Sequence, residues 1–185
     1  MAQGFTGFAD AMAAAGRTSS QPEQRALNRV AVLGGGADAR LLAALCLSEG
    51  AEVTLFSAYG AELSAMAGGV ALRGDGPVGA YQVNREDAPS IRTTAELDSA
   101  VANAELIFLT GPIHKQRTYA MVLADPLSDG QALVLAPGRS MGALEAAWLL
   151  RVGGCEADVT LVEVQAAPYW FTTEGATLHL SEAGP

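Results

Sequence analysis

The sequence predicts an α/β fold of the Rossmann-like kind, in which helices cover both faces of a doubly wound parallel sheet. Three observations predict it: short, wholly apolar runs recur along the chain, helical segments separate them, and a glycine-rich turn follows the first run. At 185 residues the chain has room for one sizeable domain. We therefore expect a single domain at residues 29–185, preceded by a helical extension and linker at residues 1–28.

The composition favours a globular protein with a buried core, because 50% of the residues are hydrophobic and 17% are charged. The formal charge of −9 repels phosphate backbones and anionic lipid, so we expect neither nucleic acid nor a membrane as partner. The two cysteines lack metal-ligand spacing, and we expect no metal site. No apolar stretch approaches the roughly 20 residues of a membrane helix, and no basic residue precedes Arg17 as a secretory signal requires. The default expectation is a cytoplasmic location.

Residues 1–28 differ from the rest of the chain. Phe5, Phe8 and Met12 recur at helical spacing, which places them on one face of a short helix, and residues 16–24 form a polar linker. Three interpretations are open. The segment forms a helix that lies on its own domain, it is a frayed tail, or it is a helix that docks on another chain. Because such an apolar stripe packs more often than it stays in water, we expect a homodimer or a hetero-complex.

In the first half of the domain, strands and helices alternate. Apolar runs of four residues predict parallel strands that are covered on both faces. The predicted strands are residues 30–33 and 53–56, and the predicted helices are residues 37–48 and 61–67. Residues 70–72 and 80–83 are candidates for a hairpin, because a Gly-Asp-Gly-Pro turn separates them.

The second half continues the same alternation. Thr93 and Glu96 match a capping box, which predicts a helix from there to about Val101. Further strands are predicted at residues 106–109, 132–135 and 159–164, with helices that end at about residues 124 and 151. Residues 178–180 are expected to add an edge strand.

The turn after the first strand carries the main functional signal. Its sequence, GGGADA, fits G-x-G-x-x-A between a strand and a helix, the context in which that motif binds a dinucleotide pyrophosphate. Gly34 allows the tight turn, Gly36 allows close approach of the phosphates, and Ala39 allows close packing of helix and strand. The alternative is a glycine turn that binds nothing. The sequence thus predicts NAD or NADP on a site that includes Gly34, Gly35, Gly36, Ala37 and Ala39.

The end of the second strand bears on the choice between NAD and NADP. An acid at this point bonds the ribose hydroxyls of NAD, whereas a nearby Arg accommodates the 2′-phosphate of NADP. Residues 56–59 contain neither, and no base follows before Arg73. The choice therefore stays open, with Ser57 and Tyr59 as candidate cofactor contacts.

Two later loops are expected at the same edge of the sheet, where ligands bind in folds of this kind. Thr110 and Pro112 are candidate cofactor contacts, and His114 is either a substrate ligand and proton carrier or a solvent-facing loop residue. In the next loop, Arg139 has a planar fork that suits a carboxylate or phosphate, or it braces the loop. Its neighbour Ser140 belongs to the same candidate cleft surface.

These segments together resemble the N-terminal domain of the octopine/nopaline (opine) dehydrogenase family. The resemblance is carried by residues 30–36, 106–112, 137–145 and 163–169. It implies a reduced nicotinamide cofactor on Gly34, Gly36 and Ala39, and a reaction that joins an amino acid to a 2-oxo acid. It also implies that the Arg139 loop and the segment beginning at Gln165 face the nicotinamide and the domain cleft.

The sequence departs from this family at two points. Aligned on Pro112, Gln116 takes the place of a family histidine, and His114 is displaced. The family also continues into a helical substrate domain, whereas this sequence stops at Pro185. We therefore expect an oxidoreductase component that a separate chain or partner copy completes and that is inactive alone. The alternatives are a non-catalytic dinucleotide-binding or assembly subunit and a relative that has lost the cofactor.

Overall fold

The computed structural model describes residues 26–66, 70–74, 82–83, 91–139, 141–167, 169–174 and 177–183. Most of the predicted N-terminal extension, including its apolar stripe, lies outside these residues. The helix and the docking surface expected there stay predictions.

Ten strands and five helices occur within the described residues. In chain order they are β1 (Arg29–Leu33), α1 (Ala37–Ser48), β2 (Glu52–Phe56), α2 (Gly60–Met66), β3 (Val70–Gly74), β4 (Gln82–Val83), β5 (Arg92–Thr94), α3 (Leu97–Val101), β6 (Leu106–Thr110), α4 (Ile113–Val122), β7 (Ala132–Ala136), α5 (Gly142–Val152), β8 (Thr160–Glu163), β9 (Tyr169–Glu174) and β10 (Thr177–Ala183).

A six-stranded parallel sheet confirms the predicted fold class. Its order is β5-β2-β1-β6-β7-β8, the usual order of a doubly wound Rossmann-like sheet. The chain moves outward from β1 to β2 and later returns to β6 on the other side of β1. The carboxyl ends of β1 and β6 therefore flank the topological switch point, where such sheets bind ligands.

Side chains of the central strand alternate between two core clusters. Val30 and Val32 pack with α1, whereas Ala31 and Leu33 pack with α3, α4 and α5. Because both faces of β1 are covered, an apolar residue is favoured at every position, which explains the continuous apolar run in the sequence.

A second sheet, with order β4-β3-β10-β9, covers the outer side of α1. The predicted hairpin is confirmed, because Val70 pairs with Val83 in antiparallel β3 and β4. The strand expected at residues 178–180 is confirmed as part of β10, but its expected edge position is wrong, because β10 lies between β3 and β9. Leu178 and Leu180 join the α1 core cluster, so their apolar pattern reports burial against α1, whereas the interior place of β10 comes from its pairing on both sides.

The predicted capping box at Thr93 is also wrong. Thr93 lies in β5 and is paired with Leu55 of β2, while α3 begins only at Leu97. The Thr94 hydroxyl oxygen accepts a bond from the Glu96 N–H at 3.0 Å, which forms a local turn before the helix. Sheet pairing therefore overrides the local helix signal here, although the predicted end at Val101 is confirmed.

Within the described residues, no helix is long and apolar enough to cross a membrane. This part of the chain also brings together no group of three or more His, Cys, Asp or Glu side chains that could hold a metal ion. Cys46 and Cys155 are free thiols. Burial raises the pKa of the Cys46 thiol to about 11, with the charge of Glu49 adding to the rise, so Cys46 is protonated at neutral pH.

Candidate functional site

The turn after β1 is held in shape by Gly34. This buried residue has a φ of +128°, a conformation that L side chains rarely adopt, and its N–H donates to the Phe56 carbonyl oxygen at 2.8 Å. A Cβ at this position would collide with the hydroxyl of Thr110. That hydroxyl donates to the Leu33 carbonyl oxygen at 2.8 Å. Thr110 is buried and shapes the turn from below, and its contact with a cofactor stays a prediction.

Gly36 has the opposite surroundings. It is the exposed N-cap residue of α1, and as a glycine it has no side chain with which to cap this helix end. A Cβ at Gly36 would meet no described atom within 4 Å. The first N–H groups of a helix lack partners within it and attract anions. The structure therefore leaves the N-terminus of α1 open at the switch point, with Ala37 half-buried and Ala39 buried beside it.

The loops after β6 and β7 open into the same crevice as the first turn of α1. Asp38, Gly111, Pro112, Ile113, His114, Arg117, Pro137 and Arg139 line it. His114 and Arg139 are both exposed, so the structure brings together two residues that the sequence placed in separate loops. Burial raises the pKa of the Asp38 carboxyl above its usual range.

Gln116 fixes the separation of these two loops. Its buried amide nitrogen donates to the Gly111 carbonyl oxygen at 2.8 Å and to the Pro137 carbonyl oxygen at 2.9 Å. In the sequence, Gln116 stands out only as a departure from the family histidine. Its bracing role depends on the strand order, because β6 and β7 must be neighbours before one amide can reach both loops.

The turn between β7 and α5 is closed by Glu163, which projects from the next strand. Its carboxylate accepts the Ala143 N–H at 3.0 Å, in the first turn of α5. A Cβ at Gly138 would collide with the Glu163 side chain. Arg139, Glu163 and the exposed Gln165 border a cleft at this end of the sheet. Ser140, the other predicted cleft residue, lies outside the described residues.

Four side chains form a polar cluster beside the glycine turn, at the end of β2. Buried Ser57 donates its hydroxyl proton to the Glu62 carboxylate and accepts the Tyr59 N–H at 3.1 Å. Lys115 places its ammonium 3.9 Å from Glu62 Oε1 and 4.6 Å from the centre of the Tyr59 ring. A Cβ at Gly35 would collide with Glu62, so this carboxylate lies directly against the turn.

Sequence reasoning found Ser57 and Tyr59 but missed Glu62 and the cluster role of Lys115. The missing acid was sought within residues 56–59, and Glu62 follows in the first turn of α2. The only signal in the sequence is its position, an acid five residues after Ser57 in a short helix. Nothing local shows that this helix turns its acid back onto the glycine turn.

Comparisons with known proteins identify the fold. The sequence matches no protein-family model and no curated protein. Octopine dehydrogenase in complex with NADH and agmatine shares the fold with a TM-score of 0.67 and 20% identity, over 83% of this chain and 39% of that chain. Its complex with NADH and L-arginine has a TM-score of 0.68 and 21% identity, over 85% of this chain and 40% of that chain. A ketopantoate reductase from Ralstonia eutropha has a TM-score of 0.56 and 17% identity, over 82% of this chain and 46% of that chain.

These likenesses confirm, at the level of the fold, the resemblance that the sequence motifs predicted. The chain has the Rossmann-like fold that these oxidoreductases share. It spans about two-fifths of the length of the octopine dehydrogenase chains.

Proposed function

We propose that this domain binds a nicotinamide dinucleotide in the crevice at the switch point, with the pyrophosphate at the N-terminus of α1. The observation that carries the proposal is the open space above Gly36, at a helix N-terminus whose N-cap residue has no side chain. An anion there gains hydrogen bonds from helix N–H groups and the favourable helix dipole. The octopine dehydrogenases of the same fold hold NADH, which supports the same assignment.

The proposed ligand lies along the glycine turn, from the Ser57–Glu62 region at the end of β2 to the loops after β6 and β7. A bound nicotinamide dinucleotide would supply or accept a hydride at its nicotinamide ring. Arg139 has the planar cation that suits a substrate carboxylate, and His114 is placed in the same crevice to carry a proton. Both roles are proposals that rest on this placement.

For the larger reaction, we propose the cofactor half of an opine-dehydrogenase-like oxidoreductase. The motifs of the sequence and the shared fold support this assignment, and the substrate half would come from another polypeptide segment, a partner chain or a second copy. The role of Gln116 favours a second candidate, a non-catalytic dinucleotide-binding subunit. In the position of a family histidine it is buried and used as a brace rather than presented to substrate.

An exposed apolar face supports the association with another protein surface. Met141, Leu144 and Trp148 are each more than 60% exposed, with Met141 at the N-cap of α5 and the other two within its first two turns. Apolar residues grouped in this way mark protein interfaces more often than bare surface. Light scattering of the parent chain and Trp148→Glu tests the proposal: we expect an oligomer that this variant weakens. A monodisperse parent monomer would argue against a second copy as the partner.

A calorimetric titration with NADH tests the binding site itself. Gly36→Val places a branched side chain where the pyrophosphate approaches, and we expect at least tenfold weaker binding, or about 1.4 kcal/mol. Thermal unfolding without ligand is the control, because the new side chain meets little of the protein. Equal affinity of the variant and the parent would refute the site.

A further inference from the structure

The polar cluster of Ser57, Tyr59, Glu62 and Lys115 bears on which dinucleotide the proposed site takes. It lies at the end of β2 and against the glycine turn, where a dinucleotide bound on that turn places its adenosine ribose. The following inference therefore rests on the proposed function and deepens it. NADH presents a 2′-hydroxyl at this point, whereas NADPH presents a phosphate.

Ser57 and Glu62 offer a ligand hydrogen-bond acceptors rather than free donors. The Glu62 carboxylate lies beside the Lys115 ammonium and can accept a bond from a hydroxyl, whereas a phosphate has only acceptor oxygens to offer it. Ser57 cannot compensate as a donor, because its hydroxyl proton already goes to Glu62. A 2′-phosphate would thus meet a carboxylate of like charge, and Ser57 would offer it no proton.

Lys115 supplies a positive charge in the cluster, but that charge is already partnered. Its ammonium lies 3.9 Å from the Glu62 carboxylate and over the Tyr59 ring. The first base that follows the end of β2 in the sequence, Arg73, lies within β3 of the second sheet, where its backbone is paired with that of His179. A phosphate would have to separate Lys115 from Glu62 before it could use the lysine.

We propose that Glu62 is the specificity-determining residue of this site and makes it select NADH over NADPH. Its carboxylate accepts the 2′-hydroxyl of the adenosine ribose and repels a phosphate at that position. Lys115 tempers the repulsion without reversing it. The selection comes from a helix residue that folds back onto the turn, not from the last residue of the strand.

The test is a titration of the full chain with NADH and with NADPH at one ionic strength. We expect the parent to bind NADH at least tenfold more tightly. Glu62→Gln keeps the size of the side chain and removes the charge, and should lower the NADH-to-NADPH preference at least fivefold, mainly by strengthening NADPH. Glu105→Gln is the matched control: like Glu62, Glu105 accepts a hydrogen bond and pairs with a base, here a backbone N–H and an arginine, but it lies at the opposite edge of the sheet. It should leave the preference unchanged.

Lys115→Met provides a second variant with the opposite sign. Removal of the ammonium leaves Glu62 uncompensated, so the preference for NADH should rise about threefold or more, even if both affinities fall. Parent binding of both dinucleotides with equal affinity, or a preference that Glu62→Gln leaves intact, would overturn the role of Glu62 while leaving the proposed function standing. Failure of the parent to bind either dinucleotide would overturn the proposed function and this inference together.

Discussion

Two glycine-containing turns in this molecule connect a parallel strand to a helix, and they end in opposite ways. In the first turn, at residues 34–36, the N-terminus of α1 faces open space. In the second turn, at residues 137–142, the N-terminus of α5 is occupied by the carboxylate of Glu163. Glycines after a strand therefore do not make an anion site by themselves. An anion site also requires that no side chain from a neighbouring strand occupies the N-terminus of the helix.

The neighbouring strands explain the difference. Beside the first turn, β6 contributes Thr110, whose short hydroxyl bonds to the Leu33 carbonyl oxygen beneath the turn and does not cap the helix. Beside the second turn, β8 contributes Glu163, whose longer side chain passes Gly138 and reaches the Ala143 N–H. The N-terminus of α5 is thus bound by the protein itself, whereas the N-terminus of α1 is available for a ligand.

The largest effect on stability is expected at the base of the first turn. Gly34→Ala introduces a Cβ at a φ of +128° and against the Thr110 hydroxyl. Strain and overpacking together should lower the free energy of unfolding by about 3 kcal/mol, measured by urea denaturation. Thr110→Ser in the same background serves as a control, because it retains the hydroxyl. An unchanged unfolding midpoint would show that the turn is not constrained as described.

Next in size is the brace between the two loops. Gln116→Met has a similar volume but no donor, so the carbonyl oxygens of Gly111 and Pro137 lose their shared bond. We expect a loss of about 2 kcal/mol in unfolding free energy. Thr118→Val on the exposed side of α4 is the comparison, because its hydroxyl donates only to a carbonyl oxygen of its own helix. Equal small effects of the two variants would contradict the bracing role.

A smaller loss is expected from opening the second turn. Glu163→Ala removes the acceptor at the N-terminus of α5 and should cost about 1 kcal/mol, as loss of a helix cap does. Glu163→Gln keeps an oxygen acceptor and should lose about half as much. Thermal unfolding of the two variants beside the parent measures the difference. If Ala and Gln are equivalent, the Ala143 bond does not contribute.

The smallest effect on stability is expected at Gly36 in the first turn. Gly36→Ala adds a methyl group that meets no described atom within 4 Å, and the poorer N-cap preference of alanine should lower the free energy of unfolding by less than about 1 kcal/mol. The same change should nevertheless weaken NADH binding severalfold, because the methyl group lies on the path of the proposed pyrophosphate. A large loss of stability would show that Gly36 serves the fold and not the ligand.

Local patterns in the sequence were sufficient to predict the strand, glycine turn and helix around Gly36. They were insufficient at Thr93, where capping chemistry predicted a helix and pairing of β5 with β2 produced a strand. They also predicted a strand at Leu178 but could not show its neighbours, because β3 and β9 pair with it from different parts of the chain. A local pattern reports burial and backbone preference, and it does not name the partner.

The sequence alone was sufficient to predict the fold class, five of the six strands of the parallel sheet with the helices between them, and the position of the glycine turn. Only the tertiary structure decided that Glu62 lies against this turn, that Gln116 spans two loops and that Glu163 fills one helix end. The physical reason is the range of the interactions. Apolar periodicity and backbone preference act between near neighbours in the chain, whereas these three contacts form only after non-local strand order brings the elements together.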